Sequence, residues 1–122
     1  MGFMYLAMGQ APVVLGDIGK NLEIMEGLIC EAQRDCEQDI DLIVFPELFI
    51  TGYNLRDNYH GVSEKIPGKG KAQSGICRLA KTYNIHIATG IVEKAGKSLF
   101  NSAILIGPEG YIGHYRKQFL PN

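Results

Sequence analysis

The chain has 122 residues, 46% of them hydrophobic, and a formal net charge of −1, which fits one globular domain with a modest core. Near-neutral charge without long like-charged runs excludes a basic nucleic-acid groove and a patch for an anionic membrane surface. No apolar stretch is long enough to span a bilayer, and Cys30, Cys36 and Cys77, an odd set without C-x-x-C spacing, argue against a disulfide framework or a zinc site and for a reducing, cytoplasmic setting.

The first residues are apolar but lack the basic region and length of a secretory signal, and Leu6 stands where a myristoylation motif wants Ser or Thr. Residues 3–10 read as a first strand, apolar on both faces until Gln10. Asp17 is placed to cap a helix, in which Leu22, Met25, Ile29, Ala32 and Cys36 recur at three- and four-residue spacing. Glu23, Glu26, Glu31, Arg34 and Glu37 give that helix a wet face. The run Leu42-Ile43-Val44-Phe45-Pro46 has strand length, β-branched residues and no polar alternation, the pattern of a strand buried on both faces. Pro46 cannot donate to a ladder and ends it, so the opening reads as a β-α-β unit with a parallel pair.

Residues 48–68 read as a long irregular connection, a kind more often functional than ornamental. A second helix is expected over 71–84, with Ile76, Leu79, Ala80 and Tyr83 on one face. Strands follow over 85–93, 98–107 and 111–117, separated by turns at Lys94-Ala95-Gly96-Lys97 and Pro108-Glu109-Gly110. The order β-α-β-α-β-β-β predicts an α/β fold, a mixed sheet with helices packed on it.

One carboxylate stands out. Glu47 follows the buried strand directly, at the carboxyl end where open α/β sheets place ligands, and a charge between Pro46 and Leu48-Phe49-Ile50 is expensive without a job or a partner. It reads either as a catalytic base or as a carboxylate paired with Lys or Arg across the loop. Lys117, taken alone, reads as a solvated charge at the end of the last strand. Gly68-Lys69-Gly70-Lys71 fails as a phosphate loop, because Lys65 stands where the first Gly is needed and Ala72 where Ser or Thr is needed. The three cysteines read as core or chance surface thiols. His60, His86 and His114 are isolated, which predicts no metal site, and there is no G-x-S-x-G elbow for a serine hydrolase.

Phe45-Pro46-Glu47-Leu48, Thr51-Gly52-Tyr53, Asn101-Ser102-Ala103, Pro108-Glu109-Gly110 and Tyr115-Arg116-Lys117, with Gln10, Asp17 and Asn21 ahead of them, together resemble the carbon–nitrogen hydrolase (nitrilase) superfamily over nearly the whole chain. The resemblance implies an α-β-β-α sandwich that assembles into oligomers, no cofactor, and hydrolysis of non-peptide C–N bonds in small amides, carbamoyl compounds or nitriles by a Glu, a Lys and a Cys. By position, Glu47 would be the general base and Lys117 the second member of the triad. In the family the nucleophilic Cys lies downstream of the Lys, whereas Cys30, Cys36 and Cys77 all precede Lys117. The expectation is therefore that residues 1–122 are the amino-terminal part of the domain, inactive alone, with exposed apolar faces, and that they self-associate or join the missing Cys-bearing half. The competing expectation is a non-catalytic α/β module that partners a full-length paralogue or a separate Cys half. A second departure is Phe119, where many relatives carry His. The ending Lys117-Gln118-Phe119-Leu120-Pro121-Asn122 resembles the glutamine-hydrolysing domains of NAD synthetases.

Overall fold

The computed structural model describes residues 2–53 and 55–119; the Leu120-Pro121-Asn122 ending lies outside them. Five strands form one sheet whose spatial order repeats the chain order: β1 (Leu6–Met8), β2 (Leu42–Val44), β3 (His86–Ala95), β4 (Ser98–Gly107) and β5 (Gly110–Phe119). β1, β2 and β3 run parallel, and β3, β4 and β5 antiparallel. Each parallel connection is a long crossover, as parallel pairing requires, and carries a helix: α1 (Ile18–Asp35) between β1 and β2, α2 (Lys71–Tyr83) between β2 and β3.

The helix signals act as their chemistry dictates. The Asp17 carboxylate accepts from the Lys20 amide at 2.9 Å and caps α1. Asn84 ends α2 in the left-handed region (φ 51°), a conformation Asn tolerates. Leu22, Met25 and Ile29 of α1 and Ile76, Leu79 and Ala80 of α2 are buried against Ile43, Ile87, Ile91, Ile104 and Ile106 of the sheet. These alternate sheet positions define one face, and both helices lie on it. Asn21 is fully buried within this layer. Its amide accepts from the Val14 N–H and donates to the Val14 and Ile50 carbonyls, tying the segment before α1 to the loop after β2.

The opposite sheet face is largely open. Leu6 and Met8 are 56% and 80% exposed, and Leu42 and Val44 are only half-buried. The expectation of strands covered on both faces thus holds on one face among the described residues. β1 is also much shorter than the expected strand, because pairing with β2 extends only from Leu6↔Leu42 to Met8↔Val44. Within the irregular connection the chain forms a short 3-10 helix, Arg56–Val62. Leu48, Tyr59 and Val92 make a second small core beneath it. The β3–β4 turn is tighter than expected, since pairing continues to Ala95↔Ser98. Gly96 (φ 61°) supplies the positive φ that two-residue hairpins need.

Candidate active site

Glu47 is placed by a sharp turn at the end of β2. The ladder runs one residue past β2, with the Phe45 amide donating to the Ala88 carbonyl at 2.8 Å. Pro46 then stops it. Leu48 adopts φ 52°, a conformation that costs a non-glycine residue free energy. The turn is held by the Leu48 carbonyl, which accepts from Thr51 N–H at 3.2 Å and Gly52 N–H at 2.8 Å. Beneath it passes β3 at Gly90, whose amide donates to the Pro46 carbonyl at 3.2 Å. A Cβ on Gly90 would lie 2.6 Å from the Glu47 Cα and 2.7 Å from its carbonyl carbon. The backbone carrying Glu47 therefore fits only because position 90 has no side chain.

The Glu47 carboxylate receives three donors. Tyr53 Oη donates to Oε1 at 2.7 Å, Asn101 Nδ2 donates to the same oxygen, and Lys117 Nζ donates to Oε2 at 2.7 Å. The Lys117 ammonium, then the Tyr53 and Asn101 donors, hold the Glu47 pKa down to about 2. Reciprocally, the hydrogen bond to Glu47 raises the pKa of Lys117 and that of the Tyr53 phenol. Tyr53 is 63% exposed, but its carbonyl accepts from the buried Tyr59 hydroxyl, which fixes the backbone there. Glu47, Gly90, Asn101, Ala103, Tyr115 and Lys117 line a cleft of about 380 Å³.

Lys117, which reaches Glu47, lies at an irregularity in β5. Ser102 pairs with Arg116 and Asn101 with Gln118, so Lys117 is an extra residue in the ladder. Such bulges re-aim side chains. Asn101, opposite the bulge, contributes its own side chain to Glu47.

The structure thus brings Glu47 and Lys117 together across 70 residues of chain. It adds Tyr53 and Asn101, which the sequence marked only as parts of motifs. None of the three cysteines lines this cleft. Cys30 is exposed on α1, where its thiol donates to Tyr83 Oη at 3.3 Å. Cys36 and Cys77 pack against the helical core, and burial pushes the Cys77 thiol pKa up. Among the described residues, no group of three or more His, Cys, Asp or Glu side chains could hold a metal ion, and no helix is long and apolar enough to cross a membrane. At the Gly-Lys run before α2, a carboxylate occupies the place a phosphate would need. Glu64 accepts from the Ala72 and Gln73 amides at 2.6 and 3.1 Å, and Gly70 leaves room for it, since a Cβ there would stand 2.6 Å from Glu64 Cγ.

A family model described as carbon-nitrogen hydrolase matches residues 5–121. The chain is 41% identical over 100 residues to a nitrilase of Pyrococcus abyssi, covering 80% of this chain and 37% of that protein. To nitrilase 3 of Arabidopsis thaliana it is 31% identical over 127 residues, covering 88% and 35%. It therefore spans little more than a third of these relatives. Among solved structures, an N-terminal amidase matches with a TM-score of 0.81 at 22% identity, over 96% of this chain and 28% of that one. Saccharomyces cerevisiae Nit3 matches with a TM-score of 0.81 at 22% identity, over 93% and 44%. Likeness at that identity speaks to the fold.

Proposed function

The chain belongs to the carbon–nitrogen hydrolase family, and on that premise we propose that it supplies the base and the lysine of a thiol hydrolase acting on small amides, carbamoyl compounds or nitriles. The observation that carries this reading is the Lys117–Glu47 contact of 2.7 Å at the rim of a cleft. The nucleophilic thiol comes from protein outside residues 1–122, in a layer that covers the open sheet face bearing Leu6 and Met8. With that layer in place, residues 1–122 form the amino-terminal part of an α-β-β-α sandwich, and the assembly is oligomeric.

For an amide, Glu47 takes the proton of the thiol and the thiolate adds to the carbonyl carbon. The carbonyl oxygen becomes an oxyanion, which the Lys117 ammonium stabilises. Collapse breaks the C–N bond, Glu47 returns the proton to the departing amine, and a thioester remains. Water, deprotonated by Glu47, then hydrolyses the thioester and regenerates the thiol. A carboxylate with a pKa of about 2 is a weak base, but its largest depressant is the Lys117 hydrogen bond. As Lys117 turns toward the developing oxyanion, Glu47 loses that donor and its proton affinity rises when it must hold a proton.

The test is intact-mass detection of the acyl-enzyme in the whole protein, offered a panel of small amides and nitriles. Wild type should gain the acyl mass, and Glu47→Gln should not. Acylation of Glu47→Gln at the wild-type rate would refute the role of Glu47. An absence of acylation and turnover across the panel would favour a non-catalytic assembly module.

A further inference from the structure

On the helix-covered side of the sheet, directly behind the bulge, lies a second carboxylate that the mechanism above does not use. Glu93 in β3 is 1% exposed, and a buried charge persists only when paired and hydrogen-bonded. Arg116 donates to it twice, from Nε at 3.0 Å to Oε1 and from Nη2 at 2.9 Å to Oε2. Ser102 Oγ donates to Oε1 at 2.8 Å, and His114 Nε2 stands 3.4 Å from Oε2. The guanidinium also lies over the Phe100 ring, 4.3 Å from its centroid. Ser102 and Arg116 are the last regular pair before the ladder slips, and Lys117 is the residue left over.

Adjacent residues of a strand face opposite sides of the sheet, and here the two sides carry different duties. Ser102 and Arg116 turn to Glu93; Asn101 and Lys117 turn to Glu47. We propose that Glu93, acting through Arg116 and Ser102, is a positioning residue that locks the bulge in register and thereby aims the Lys117 ammonium at Glu47. A bidentate guanidinium–carboxylate pair fixes direction as well as distance, whereas Lys117 makes a single contact to Glu47 at the end of a flexible stem. Without the clamp, β5 can pair regularly through this point, with Lys117 in place of Gln118 directly opposite Asn101, which moves its Cα along the strand and changes the reach from its ammonium to Glu47.

This inference deepens the functional reading and rests on it only for why the aim of Lys117 matters, so its test reads the aim and not turnover. In the full-length protein, the Glu47 carboxyl would be titrated by NMR in wild type, in Arg116→Lys and in Ile76→Val, a core substitution in α2 that lowers stability and removes no group of the clamp. Arg116→Lys keeps the positive charge but loses the fork. Its Glu47 pKa should rise by about one from the wild-type value of about 2, with Ile76→Val leaving it in place. Ser102→Ala, which removes a single donor, should give a smaller rise of the same sign and carries the test if Arg116→Lys does not fold. An unmoved Glu47 in both clamp variants, whatever their melting temperatures, would overturn the proposal. A failure of the catalytic reading would leave these titrations unchanged, so the two can fail separately.

Discussion

Gly90→Ala is the sharpest perturbation the structure offers, because the obstacle is backbone and not a side chain that can swing away. The new methyl would sit 2.6 Å from the Glu47 Cα and 2.7 Å from its carbonyl carbon. Comfortable carbon–carbon contact begins near 3.5 Å, so the two segments must part by roughly 1 Å. They are tied by the Gly90–Pro46 hydrogen bond of 3.2 Å, which such a movement breaks. Overpacking of this kind costs about 1–3 kcal/mol and the lost hydrogen bond about 1 kcal/mol. A total of about 2–4 kcal/mol corresponds to a drop in Tm of roughly 4–16 °C for a cooperative unit of about 150–250 residues. Under the proposed mechanism, displacing Glu47 by 1 Å should lower turnover by about 100-fold. Gly27→Ala is the internal control. Gly27 is an exposed position in α1 where a Cβ meets nothing within 4 Å, so alanine there should stabilise by about 0.5–1 kcal/mol. Calorimetry on both variants, with the Glu47 titration, checks the argument. A Gly90→Ala protein that melts like wild type with an unshifted Glu47 would show that the turn at 47–48 is not held against β3 as described.

Three further outcomes are expected. Glu47 has a folded pKa of about 2 against 4.5 for an unperturbed carboxyl, so its pairing contributes stability that is full above the ordinary carboxylate range and is lost as pH falls toward 2. Lys117→Met should therefore melt below wild type at neutral pH, and the gap should close on acidification; a gap independent of pH would refute the pairing. Asn21→Ala strands the Val14 amide and the Val14 and Ile50 carbonyls and should cost about 2–4 kcal/mol by chemical denaturation, with a near-neutral result showing that water replaces the amide. Ile76→Ala removes a fully buried side chain from α2 and should cost about 2–5 kcal/mol, while leaving the Glu47 pKa where it is.

What the sequence disclosed follows from the range of the interactions involved. Asp17 before an apolar 3.6-residue repeat, and Asn84 after another, are local signals: α1 begins at the residue after the first, and α2 ends at the residue before the second. Leu42-Ile43-Val44 read as a strand for the same reason, and Pro46 marked its end. The open face of that strand was not legible in the strand's own residues, because an apolar run looks the same whether its second face is covered within these residues or by something else; exposed apolar faces were expected only through the family resemblance. Glu47 was visible as a costly charge at a strand end, and Lys117 only through the family resemblance. The meeting of Asn101 with Glu47 spans 54 residues and leaves no local trace, nor does the slipped register that frees Lys117. Tyr53 lay in plain view after Thr51-Gly52, but nothing in spacing says that its hydroxyl folds back on Glu47. Gly90 did carry a signal: a lone glycine inside a strand pattern marks a close backbone approach.

The match between strand order in space and strand order in the chain has a consequence for how the protein is made. Every strand adds to an edge that the preceding strand has just created, so a chain emerging from the ribosome amino end first never has to insert a strand between two already paired. Glu47 is laid down with the second strand and waits through three more. Its partner Lys117 arrives near the end of the fifth strand, so the charge pair closes only after all five of these strands have been made.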